Sequence, residues 1–169
     1  IAMYANYLSG YQSALMAPTE ILAKQHYDNV CNILKDTGIR VVLLTGSMTK
    51  KEKQVIYDQL ESGEVSIAVG THALIQDDVH YQNLGLVITD EQHRFGVNQR
   101  ANLKNKGLRP DVLYMSATPI PRTYALTLYG DMDVSIIKEM PKGRKPVKTY
   151  VKSESEITVS YTHLTLPTK

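Results

Sequence analysis

Leu84-Gly85-Leu86-Val87-Ile88-Thr89-Asp90-Glu91-Gln92-His93 decides how this chain folds: a short apolar run stops abruptly at two carboxylates, an amide and an imidazole. An apolar run of this length, bounded by polar residues, suits a strand buried on both faces. In a doubly wound sheet such a strand delivers its last residues to the ligand-binding edge. Alternation along the strand then turns Asp90 and Glu91 in different directions, so that one carboxylate is free to hold a metal ion while the other faces a water. That arrangement suits nucleotide hydrolysis. Asp-Glu after an apolar run also fits a helix N-terminus or a solvated turn, so the neighbouring segments have to decide.

Those neighbours repeat the pattern. Strands are expected at residues 13–17, 41–45, 65–69 and 111–115, each a short apolar run, with helices between them. Residues 1–8 read as the end of a helix stopped by Gly10. Pro18-Thr19-Glu20 opens a second helix with Thr19 as N-cap; Ala23, Tyr27, Val30, Cys31 and Leu34 share its inner face, which makes Cys31 a core residue. Thr49-Lys50-Lys51-Glu52 is a capping box that starts a third helix, with Val55, Ile56 and Leu60 inward and Lys50, Lys51 and Lys53 on a solvated face. A polar helix is expected up to Lys106. Thr118-Pro119 opens another that runs to about Tyr129, a further strand is expected near 134–137, and Gly143-Arg144-Lys145-Pro146 reads as a linker leading into 147–151. Strands alternating with helices imply an α/β fold, a parallel sheet with helices on both faces.

Composition narrows the classes. The chain has 169 residues, 43% hydrophobic and 21% charged, as in an ordinary globular domain. Its net charge of +2 comes from 19 basic and 17 acidic residues, so any nucleic-acid binding must be local. A single cysteine excludes an internal disulfide and a cysteine zinc cluster, which suits a reducing cytoplasm. No apolar run approaches the roughly 20 residues of a membrane span.

In a parallel sheet, Pro18-Thr19-Glu20, Thr45-Gly46, Gly70-Thr71-His72, Asp90-Glu91-Gln92-His93 and Ser116-Ala117-Thr118 all fall at strand ends on one edge. This set, with Met16-Ala17-Pro18-Thr19-Glu20-Ile21-Leu22-Ala23, Arg94-Phe95-Gly96-Val97, Thr118-Pro119-Ile120-Pro121-Arg122-Thr123 and Gly143-Arg144-Lys145-Pro146, resembles the first motor domain of superfamily 2 helicases. Within that superfamily the wording is similar to the RecG family of ATP-dependent helicases acting on branched DNA. The resemblance implies a RecA-like motor domain that uses ATP and Mg²⁺. Asp90 is then the metal-holding carboxylate and Glu91 the group that orients the attacking water. Gln92 and His93 sense the γ-phosphate and signal to Ser116, Ala117 and Thr118. Pro18, Thr19, Glu20, Thr45, Gly46, Gly70, Thr71 and His72 track one DNA strand. Small residues and helix N-termini there would offer N–H groups to phosphates without reading bases.

The family pattern also contains a P-loop, Gly-x-x-x-x-Gly-Lys-Ser/Thr, expected ahead of Ile1, and this sequence has none. A second motor domain and a fork-splitting wedge are likewise expected in the parent chain. Residues 1–142 then read as part of the first motor domain and 143–157 as a linker into the second, while 158–169 read as a non-native tail. The sheet would be left with an exposed edge. Transcription-repair coupling translocases share the Arg-Phe-Gly-Val and Thr-Pro-Ile-Pro-Arg-Thr wording but have a Glu-Glu-Gln style acidic motif. A non-catalytic DNA-binding remnant, or an inactive truncation, is the alternative from another class.

Overall fold

The computed structural model describes residues 1–91, 110–117, 133–137 and 139. The chain divides into two compact units, residues 1–120 and 121–169. In the first, the order is α1 (Ala2–Leu8), β1 (Gln12–Met16), α2 (Glu20–Leu34), β2 (Val41–Leu44), α3 (Lys50–Glu61) and β3 (Ile67–Gly70). A 3₁₀ turn (His72–Ile75), β4 (Leu84–Thr89) and β5 (Asp111–Tyr114) follow. The five strands form one sheet in the order β2-β3-β1-β4-β5, and every pairing is parallel. All strand C-termini therefore share one edge, as the sequence pattern requires.

Each face of the sheet has its own apolar layer. Ala14, Met16, Ala68 and Val87 point to the side covered by Ile56 and Leu60 of α3 and by the 3₁₀ turn. Leu15, Ile67, Val69 and Ile88 point to the other side, where Val30, Tyr27 and Leu34 of α2 and Met3 of α1 pack. Alternation of residues from the same strand between the two layers is what period-2 geometry demands of a sheet covered on both faces. β1 is central, and all five of its residues are buried.

The reading of β4 as an uninterrupted strand needs one amendment. Gln12 pairs with Leu84 and Ser13 with Leu86, so the register skips Gly85. One extra residue reverses the parity of everything after it. Leu84 and Val87 consequently share one layer while Leu86 and Ile88 share the other. Glycine is required here because a Cβ would lie 2.7 Å from Asn6 Oδ1 and 2.7 Å from Tyr11 Cβ, where the α1–β1 connection crosses the strand.

Other expectations also change. Val55 is 53% exposed, because Ile56 and Leu60 define the buried stripe and position 55 lies about 100° around the helix from Ile56. Lys53 is half-buried and its ammonium donates to the Gly46 carbonyl at 2.9 Å, so it is not part of a free solvated face. Cys31 is half-buried, on the flank of α2. In the second unit, the described residues 133–137 form no strand, and Val134, Ile136 and Ile137 are exposed. The polar helix expected after Val97 up to Lys106, the helix expected to run to about Tyr129 and the segment at 147–151 lie outside the described residues.

Replacing Gly85 with alanine should cost about 1–3 kcal/mol, the usual range for overpacking a filled site. Urea unfolding would measure it as a lower midpoint with an unchanged slope.

Candidate functional site

Two backbone hydrogen bonds align the strand ends that make the site. Ala17 N–H donates to Gly70 O at 2.9 Å, and Asp90 N–H donates to Met16 O at 2.9 Å, so β3, β1 and β4 finish at one level. Beyond that level the chains part: β1 continues into α2 on one face, whereas β3 continues into the 3₁₀ turn on the other. Adjacent parallel strands that diverge in this way open a crevice at their carboxyl ends.

Asp90 follows Ile88 by two residues and so faces the α2 side of the sheet. There its Oδ2 accepts a hydrogen bond from His26 Nε2 at 2.8 Å, and its Oδ1 accepts from the Glu91 N–H at 2.9 Å. A carboxylate can only accept, so the imidazole proton in this contact sits on Nε2. Glu91 has φ 51°, in the left-handed region that a non-glycine residue enters at a cost. The Glu91 turn is thus where the strand is forced to stop and where the second carboxylate leaves the pleat.

The nucleic-acid set separates into surface and buried members. Thr19 caps α2 by accepting from the Leu22 N–H at 3.3 Å, as its position predicts. Glu20 is exposed, but its carboxylate accepts from Ser47 N–H at 2.9 Å and from the Ser47 hydroxyl at 2.7 Å. These bonds to Ser47 lower the Glu20 pKa from its ordinary value. The clamp therefore holds above the usual carboxylate range and weakens as acid titrates it. A Cβ built on Gly46 would stand 3.5 Å from Glu20 Oε1 and 3.9 Å from His72 Cε1, so Gly46, Glu20 and His72 converge.

Gly70 is buried, and any side chain there would collide with the Leu44 carbonyl. Thr45 is buried and Pro18 half-buried. Thr71 is 3% exposed, and its hydroxyl has no hydrogen-bond partner among the described residues. Ser116 is half-buried and Ala117 exposed just beyond β5. Gln92, His93 and Thr118 lie outside the described residues.

The sequence reading missed His26 and Ser47. Both contacts are tertiary, spanning 64 and 27 residues, and neither residue belongs to a strand end. Two signals were present: His26 lies two turns into the helix that Thr19 caps, and Ser47 immediately follows Gly46.

The donor set fits Mg²⁺ chemistry. Mg²⁺ is usually held by one or two carboxylates together with waters and substrate phosphates. Each Asp90 oxygen takes one hydrogen bond and keeps a lone pair for a metal-bound water. Among the described residues no group of three or more His, Cys, Asp or Glu forms a complete metal cage. The sequence holds no Gly-rich Lys-Ser/Thr loop of the kind that cradles phosphates.

Residues 1–127 match the family model described as DEAD/DEAH box helicase. The chain is 59% identical over 150 residues to the ATP-dependent DNA helicase RecG of Bacillus subtilis (strain 168), covering 89% of this chain and 22% of that protein. It is 58% identical over 149 residues to RecG of Staphylococcus aureus (strain NCTC 8325), covering 88% of this chain and 22% of the relative. The chain thus spans about a fifth of the length of these relatives. A solved structure of RecG bound to a three-way DNA junction superposes with a TM-score of 0.80 at 48% identity, over 96% of this chain and 22% of that one.

The strain at position 91 gives a stability test. Glu91→Gly should leave the chain at least as stable in urea, whereas β-branched Glu91→Val should lose about 1–2 kcal/mol.

Proposed function

The chain belongs to the DEAD/DEAH box helicase family, and we propose that it is part of the first motor domain of a RecG-like enzyme that couples ATP hydrolysis to movement on branched DNA. The observation carrying this reading is the shared edge of the sheet, where the Asp90-Glu91 strand end stands beside the capped start of α2 and the 45–47 loop. The identity to RecG proteins supports the branched-DNA helicase over the translocase or a binding remnant.

Phosphoryl transfer is accelerated mainly by positioning and by offsetting negative charge, so the chemistry needs a metal-holding acid and a water-holding acid at the γ-phosphate. Asp90 takes the first role. Bound Mg²⁺ supplies charge neutralisation on the phosphate oxygens. Glu91 takes the second role: its carboxylate orients the attacking water and accepts its proton. Gln92 and His93 sense the phosphate, and Ser116, Ala117 and Thr118 pass that state onward.

DNA lies along the loop edge in this reading. Exposed Thr19, Gly46 and His72 meet the backbone of one strand, assisted by the free N–H groups at the start of α2. Buried Thr45, Gly70 and Thr71 and half-buried Pro18 shape the loops from beneath. Glu20 would repel a phosphate directly; it serves the face through its clamp on Ser47. In the same reading, residues 1–142 belong to the first motor domain, 143–157 lead into a second, and 158–169 lie outside the fold. The enzyme works in the bacterial cytoplasm in recombination and repair, together with the second motor domain and wedge of the parent chain. No helix among the described residues is long and apolar enough to cross a membrane.

ATPase assays with and without branched DNA test this directly. The 169-residue chain should show no turnover, because the phosphate cradle is not in its sequence. The full-length enzyme should be stimulated by DNA, and Glu91→Gln should lower kcat by about 10²–10⁴-fold, the usual contribution of a positioned general base. DNA-stimulated turnover by the 169-residue chain, abolished by Glu91→Gln, would overturn the division of the site.

A further inference from the structure

Helix α2 reaches the loop edge twice. Its first residue, Glu20, holds Ser47, and its second turn presents His26 to Asp90. The His26 and Asp90 side chains are 28% and 24% exposed. A polar contact this open to water contributes little to folding, since solvent competes for it and two side chains must be ordered to make it. What the contact does achieve is geometric. Asp90 sits at the last residue before a strained turn, and a carboxylate there is free to rotate about χ1 and χ2 unless both oxygens are engaged. The Glu91 N–H engages Oδ1 from within the turn; only His26, from a different element, engages Oδ2 among the described residues.

We infer that His26 is a positioning residue for Asp90: it fixes the plane of the carboxylate that holds the metal. The inference rests on the reading of Asp90 given above. Groups that hydrogen-bond a metal-holding side chain typically alter metal affinity or activity by about 10–100-fold when removed. His26 touches neither nucleotide nor metal in this scheme. It acts through Asp90 alone, and because Thr19 and Glu20 open the same helix, the orientation of Asp90 is referred to the loop edge rather than to its own turn.

Two measurements test it. Imidazole ¹⁵N spectra of the 169-residue chain, without nucleotide or metal, should show His26 with its proton fixed on Nε2, and Asp90→Ala should release it to exchanging tautomers. A His26 signal indifferent to Asp90→Ala would overturn the contact. In the full-length enzyme, His26→Ala should raise the Mg²⁺ concentration for half-maximal ATP hydrolysis about ten-fold, with a smaller effect on kcat at saturating Mg²⁺. His26→Gln, whose amide Nε2 reaches the same point, should restore it to within about three-fold. Unchanged Mg²⁺ dependence in His26→Ala, or failure of His26→Gln to rescue, would overturn the inference while leaving the helicase reading intact. A wild-type enzyme with no DNA-stimulated hydrolysis would instead refute that reading.

Discussion

The loop edge depends on β1, a five-residue strand buried from end to end and hydrogen-bonded on both sides. Through Gly70 O and Asp90 N it sets β3 and β4 at a common level, so the loops after three strands start from one plane. Parallel pairing alone would bring the strand ends to the same side; the ladder on β1 brings them to the same height. Gln12 extends this control to the opposite edge. Its buried amide donates to Leu60 O at 2.9 Å and Val65 O at 2.7 Å and accepts from Asn83 N–H at 3.0 Å. A buried amide satisfied in this way locks the entry of β3 and β4 as firmly as their exits.

Orientation is a separate matter from level, and Gly85 governs it. The residue skipped there reverses the parity of β4, which puts Ile88, and therefore Asp90, on the α2 face. Without the skip, Asp90 would face the α3 layer and have no access to His26. A glycine that reads as a weak point in an apolar strand thus decides which helix the first carboxylate meets. Glu91 follows in a strained conformation, the kind of backbone cost that is found at functional sites more often than elsewhere.

Local chemistry was legible in the sequence. The Thr49-Glu52 capping box forms with both reciprocal bonds, and Thr19 caps α2 where its spacing puts it. Apolar runs marked β1 and β3, whose residues are all buried, because burial on both faces leaves no polar period to confuse them. Three features were not legible. The Gly85 skip depends on Tyr11 and Asn6 lying against it, the His26–Asp90 contact joins distant elements, and the Glu20–Ser47 clamp ties the start of α2 to a loop 27 residues away. Val55 failed for a simpler reason: Val55 and Tyr57 flank Ile56 on opposite sides, and it is Tyr57 that packs against the core while Val55 is left 53% exposed.

The central claim is that one edge of this sheet meets nucleic acid. Amide NMR of the 169-residue chain, titrated at low salt with a single-stranded oligonucleotide, tests it most directly. The account predicts shifts concentrated at Thr19, Gly46, Ser47 and His72. Shifts confined to the turns before the strands, at Gly10, Gly38 and Gly63, would contradict it.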